Sequence, residues 1–218
     1  MSMAERPLES RRVSGPRHTL EAAQTAGEPV IRGFPLLGEP LALDLANTRF
    51  THRGREVDLL PAPAALAEWL ALEGERIPES LRRPDRPAWA ALIRLRRHIE
   101  ACLEALLASR PLPPDSLAAV NRAAAAAPLH RELDQGGDGR LCSRSQRLGT
   151  PAQQLAAIVA ESAVELLAEH RPGTIRQCDG DDCELVFISP GQRRRWCSPA
   201  ICGNRARVAR FYRRHRRP

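Results

Sequence analysis

Cys178-Asp179-Gly180-Asp181-Asp182-Cys183 and Cys197-Ser198-Pro199-Ala200-Ile201-Cys202 are the two stretches whose reading decides the fold of the C-terminal end of this chain. Each is a Cys-x4-Cys loop, and thirteen residues lie between them. Two short cysteine loops flanking a hairpin-sized segment are the arrangement in which four thiolates close around a tetrahedral zinc ion. A catalytic zinc keeps one position open for water, so four sulfur ligands imply a structural site, with one Zn2+ per chain held by Cys178, Cys183, Cys197 and Cys202. An iron–tetrathiolate site, and free or disulfide-linked thiols, are the alternatives.

The flanking residues fit a small unit stapled by that metal. Thr174 to Gln177 reads as a short strand leading in, and the β-prone run Glu184 to Ile188 follows the first loop. Ser189-Pro190-Gly191 reads as a turn, and Gln192 to Trp196 as the returning strand. From Gly203 the residues favour helix, with Val208, Phe211 and Tyr212 spaced to lie on one side as its packed face. The last cysteine would stand at the helix mouth, where the amides of Gly203 and Asn204 could point at thiolate sulfur.

The run Arg193-Arg194-Arg195-Trp196-Cys197-Ser198-Pro199-Ala200-Ile201-Cys202-Gly203-Asn204-Arg205-Ala206 resembles the CGNR zinc finger, named for the tetrad Cys202 to Arg205. Leu41-Ala42-Leu43-Asp44-Leu45-Ala46-Asn47-Thr48 resembles the L-x-L-D-F-V-N-T motif that opens the ABATE domain. The resemblance implies a bacterial, stress-induced transcription regulator in which an N-terminal ABATE domain precedes the finger. One feature departs from the pattern: Phe187-Ile188-Ser189-Pro190 lacks the Asp that family members carry before the Arg-Arg-Trp-Cys run.

Charge divides the chain in the same place. All 33 basic residues are Arg and none is Lys, which reads as the codon bias of a GC-rich genome rather than as selection for guanidinium chemistry. The overall charge is +7, but residues 171–218 hold twelve Arg against Asp179, Asp181, Asp182 and Glu184, so the rest of the chain is close to neutral. Clustered guanidinium groups on a small rigid unit suit phosphate, which makes DNA the expected partner. The candidate contacts are Arg193, Arg194, Arg205, Arg207, Arg210, Arg213, Arg214 and Arg217. On a helix Arg207, Arg210 and Arg214 share a face roughly 120° from the Val208, Phe211 and Tyr212 side. Against this stand two plainer roles: Arg195 and Arg205 balance the charge of the zinc–thiolate cluster, and the last Arg form a solvated end.

The 218 residues are enough for one sizeable domain and a small appended one. Residues 1–30 read as a disordered leader, 31–172 as a mainly α domain with a small β-hairpin, and 173–218 as a treble-clef-like finger of knuckle, hairpin, knuckle and helix. No apolar run is long enough for a signal-peptide core or a membrane span, so a cytoplasmic location is expected, where thiols stay reduced and Cys pairs favour metal. Cys102 sits in an apolar helical run and reads as core.

Within the first domain, Leu41 to Thr48 reads as a short amphipathic helix and 50–58 as a polar loop. Pro61-Ala62-Pro63 opens a helix with Trp69 as its core anchor, stopped by Gly74. A longer helix runs from a cap at Asp85 to about Ser109, with Leu92, Leu95, Ile99, Leu103 and Leu106 inward. Asp115 reads as the cap of the next helix, the Gly-rich turn at 134–139 as a hairpin, and Pro151 to His170 as a final helix. Asp44, Asn47 and Thr48 either satisfy buried backbone groups or line a pocket for a small-molecule effector.

No nucleophile elbow, HExxH pair or Walker loop is present, so the expected function is not enzymatic. The reading is a DNA-binding regulator whose N-terminal domain senses a ligand or forms a homodimer. Two alternatives remain: a finger that docks an acidic protein, and a ligand-binding or enzymatic N-terminal domain with the finger as accessory.

Overall fold

A computed structural model describes residues 33–35, 37–52, 54–169, 173–191, 193–199 and 201–215. The expected leader at 1–30, Arg217, and Arg171 and Pro172 at the expected domain boundary lie outside these residues.

The element order is α1 (Leu41–Ala46), β1 (Arg49–His52), β2 (Arg55–Asp58), α2 (Pro63–Leu72), α3 (Arg86–Leu107), α4 (Pro114–Ala125), β3 (Leu129–Gln135), β4 (Leu141–Arg147), α5 (Pro151–Ala168), β5 (Ile175–Gln177), β6 (Val186–Ile188) and α6 (Cys202–His215). Helices dominate, and the strands form three antiparallel hairpins, β1-β2, β3-β4 and β5-β6. No helix among the described residues is long and apolar enough to cross a membrane.

The core is built on α3 and α5. Leu92, Leu95, Ile99 and Leu103 of α3 are buried in one cluster with Leu155, Val159, Ala163 and Leu166 of α5 and with Trp69 of α2. Local chemistry fixes the ends of both helices. Asp85 Oδ1 accepts from the Ala88 amide at 2.8 Å, and Thr150 and Gln153 form a reciprocal capping box. The next helix begins at Pro114 with Pro113 before it, so Asp115 lies in the first turn instead of capping it. An acidic residue in the first turn still complements the positive helix end.

α1 is buried on every side, not amphipathic. It meets α5, where Ser162 Oγ accepts from the Ala42 amide at 3.2 Å. Small residues on α5, Ala156 and Ala160 among them, are buried in the same cluster and add little bulk there.

The polar stretch 50–58 forms a hairpin instead of a loop, with a positive φ of 75° at Gly54. Its two apolar residues, Phe50 and Val57, are cross-strand partners and pack against the finger core around Phe187. One apolar pair is a weak pattern in sequence but enough to cover a small domain. The β3-β4 ribbon runs from Leu129↔Arg147 to Gln135↔Leu141, so its strands reach past the expected ends at Leu133 and Ser143, and Leu133 and Leu141 are exposed.

Candidate metal centre

β5 and β6 lay the first knuckle across from the second. Ile175 pairs with Ile188, Arg176 with Phe187 and Gln177 with Val186, and the Cys178 amide extends the ladder to Leu185 O at 2.9 Å. The knuckle then turns through Asp182 at φ 59°. Gly180 is needed for close approach: a Cβ there would stand 3.2 Å from Cys202 Cβ and 3.3 Å from its Sγ.

The Sγ atoms of Cys178, Cys183, Cys197 and Cys202 all lie within 4.8 Å of one another. Cys183 and Cys197 are 3.7 Å apart and Cys197 and Cys202 3.5 Å. A tetrahedron with Zn–S bonds of about 2.3 Å has sulfur–sulfur edges of about 3.8 Å, whereas a disulfide bond is about 2.05 Å. The four residues therefore fit one zinc ion, and a closed set of four thiolates leaves no position for a reacting water.

Donors surround the sulfurs. The Cys197 amide points at Cys178 Sγ at 3.2 Å and the Gly180 amide at the same atom at 3.4 Å. Arg205 Nη2 lies 3.0 Å from Cys202 Sγ. The Arg205 guanidinium beside Cys202 favours its thiolate form. The Gly203 amide is spent elsewhere, on Ser198 O at 3.0 Å, so it does not supply the sulfur contact expected of it.

The returning strand expected at Gln192 to Trp196 is absent from the described residues, because both edges of β6 are already taken. One edge holds β5. On the other, Asn47 Nδ2 donates to Val186 O at 2.8 Å, Asn47 Oδ1 accepts from Val186 N at 2.9 Å, and Glu39 Oε2 accepts from Ile188 N at 3.1 Å. The segment beyond is held by other groups: Ser189 Oγ accepts from Arg194 N at 3.1 Å, and Arg195 O accepts from Asp179 N at 2.9 Å.

Arg194 ties this edge to the metal loop. Its guanidinium lies 4.4 Å over the Phe187 ring and donates to Glu39 Oε1 at 2.7 Å, Trp196 O at 3.1 Å and Cys197 O. This candidate phosphate contact therefore faces inward. Arg195 pairs with Asp179 at 2.8 Å, and Arg193 is exposed.

α6 leaves the knuckle at Cys202, and Arg207, Arg210, Arg213 and Arg214 are exposed along it. Arg207 reaches Pro199 O at 3.4 Å. The expected packed side is open: Val208 is 45%, Phe211 56% and Tyr212 61% exposed. The helix is buried only at Cys202 and Gly203, because the finger core is closed instead by Phe50 of the N-terminal domain.

The three signature polar residues of α1 and its exit go different ways. Asn47 grips β6, as above. Thr48 Oγ1 donates to Leu45 O at 2.6 Å and accepts from Arg96 Nη1 at 2.9 Å. Asp44 Oδ2 accepts from Arg76 at 2.8 Å, and the same nitrogen serves Glu73 at 2.6 Å. Burial pushes Asp44 up to about 6 and Glu73 up to about 7, against the pull of Arg76. A cleft of about 340 Å³ opens nearby between α3, β1 and the finger, lined by Asn47, Arg49, Phe50, Glu100, Leu103 and Glu184 among others. Asp44 and Thr48 do not line it.

Sequence reasoning missed Glu39, Arg76 and Arg96. Arg96 carried a legible signal: it falls between Leu92 and Ile99 on the apolar stripe of α3, where a charge demands a partner. That partner is Asp58, with Thr48 beside it.

Residues 39–170 match the ABATE family model, described as "Putative stress-induced transcription regulator", and residues 174–215 match the CGNR zinc finger model. No curated protein matches the chain.

Proposed function

The chain belongs to the ABATE family and ends in a CGNR zinc finger, and from that premise we propose that it is a cytoplasmic, non-enzymatic transcription regulator that binds DNA through α6. The observation that carries the reading is the character of this helix. It starts on a metal ligand, presents Arg207, Arg210, Arg213 and Arg214 to solvent, and contains no acidic residue. A helix anchored at one end by a zinc cluster holds its charges in fixed register, which suits phosphates flanking a groove. Arg193, exposed ahead of the second knuckle, adds a further positive charge, whereas Arg194 and Arg205 support the metal loop.

One finger spans few base pairs, so specific binding calls for two copies on one operator. The N-terminal domain supplies dimerisation or sensing. The cleft between α3, β1 and the finger is a candidate effector site, since its lining comes from both parts of the chain.

Zinc dependence tests the reading. Zinc-loaded full-length protein titrated with labelled duplex DNA at low salt should raise fluorescence anisotropy, and chelator-treated protein should not. Well-folded, zinc-loaded protein that leaves the anisotropy unchanged would reject it.

A further inference from the structure

The side of α6 about 120° around from its basic ridge is apolar, aromatic and uncovered. Val208, Phe211 and Tyr212 are about half exposed, although helical spacing gathers them on one stripe. Their rings are organised with respect to one another. Phe211 stacks on His215 with centroids 4.0 Å apart and planes at 29°, and Tyr212 meets Phe211 edge-on at 5.8 Å. One turn of helix thus displays a short aromatic ladder to solvent.

Charge decides what can cover it. α6 has no Asp or Glu, and Arg207 and Arg214 border the stripe on the Phe211 side. A second copy laid along this helix would set arginine against arginine. The fitting occupant is polyanionic and carries flat, apolar faces, and a nucleic acid strand with unstacked bases has both properties.

We infer that the Phe211–Tyr212–His215 stripe is a stacking platform for unpaired bases, so that the finger prefers DNA containing a melted or single-stranded segment over a fully paired duplex. This rests on the reading of α6 as the nucleic-acid-binding element. Phosphates of the strand lie along Arg207, Arg210 and Arg214, and a base turned out of the helix extends the stack already begun by Phe211 and His215. Stacking on an exposed ring needs no base-specific hydrogen bond, so the preference is for unpaired structure rather than for a sequence.

The test uses zinc-loaded full-length protein and three labelled DNAs: a paired duplex, the same duplex with a central unpaired bubble carrying 2-aminopurine, and the single strand. The wild type should bind bubble and single strand more tightly than duplex and quench 2-aminopurine fluorescence. Phe211→Ala/Tyr212→Ala should lose about tenfold or more on the bubble, with no quenching, yet stay within about twofold on the duplex. Phe211→Trp, which keeps a stacking face, should bind the bubble like the wild type. All these side chains are exposed, so the fold is not at risk.

Equal affinity of the wild type for bubble and duplex would overturn the inference. Unchanged bubble binding by the double variant would also overturn it and leave the stripe to an acidic protein partner. Failure of the parent reading is distinct: Arg207→Ala/Arg210→Ala/Arg214→Ala would then bind all three DNAs as the wild type does.

Discussion

Asn47 and Val186 exchange two hydrogen bonds, 2.8 Å and 2.9 Å long, across 139 residues of chain. The side-chain amide of Asn47 occupies the place of a third strand on β6, one residue from Phe187 in the finger core. The signature polar edge of α1 is thus joined to the metal domain, and Glu39 adds contacts to Ile188 and Arg194 on the same edge.

Asn47→Ala should therefore destabilise the contact between the two parts more than either part alone. Two backbone groups lose partners in a half-buried setting, a cost on the order of 2–4 kcal/mol. Urea unfolding should show the loss, and hydrogen exchange at Val186 should rise with it. An unchanged midpoint would show that water replaces the amide without penalty.

Removal of the metal should unfold the finger and spare the helical core, because residues of α3 and α5 are buried in a separate cluster from the cysteines. Purified protein should carry one equivalent of zinc, and Cys183→Ala or Cys202→Ala should carry far less. Circular dichroism after chelation should retain most of the helical signal. A full zinc equivalent in either variant would contradict the four-cysteine assignment.

The buried carboxylates give a pH signature. With Asp44 raised to about 6 and Glu73 to about 7, the folded state binds protons more tightly than the unfolded chain. Their contribution is fully present below the ordinary carboxylate pKa near 4 and is lost as pH rises through 6 and 7. Glu73→Gln keeps an acceptor for Arg76 and removes the Glu73 share of this dependence. At pH 8 the variant should be more stable than the wild type by about 1–3 kcal/mol, and the gap should close by pH 5. Urea titrations at both pH values measure it, and a gap that is the same at both would count against the assignment.

Arg96 is 1% exposed and pairs with Asp58 and Thr48 beneath the β1-β2 hairpin. Arg96→Ala strands these groups and empties the space, so a loss of about 3–5 kcal/mol is expected in denaturant unfolding. The replacement Arg96→Met fills the volume and should cost less. Equal losses would mean that packing contributes nothing at this position.

The parts of the molecule that were legible in sequence are those whose signal is local. Cysteine spacing identified the ligand set, and apolar periodicity with Asp85 marked α3. Long-range pairing was not legible: nothing near Asn47 or Glu39 in sequence says that their partners lie 139 and 149 residues away. For the same reason the sequence alone suggests a returning strand on the second edge of β6, which side chains of the other domain fill. Periodicity also failed on α6. It groups Val208, Phe211 and Tyr212 on one face but cannot tell whether anything lies opposite that face.

The most direct test of α6 as the DNA-contacting element is the salt dependence of duplex binding by zinc-loaded protein, wild type against Arg207→Ala/Arg210→Ala/Arg214→Ala. Each phosphate contact contributes about −0.9 to the slope of log affinity against log salt. The triple variant should bind more weakly and with a slope shallower by about 2–3. An unchanged slope would mean that these arginines do not touch the DNA backbone, and the account of α6 would fall.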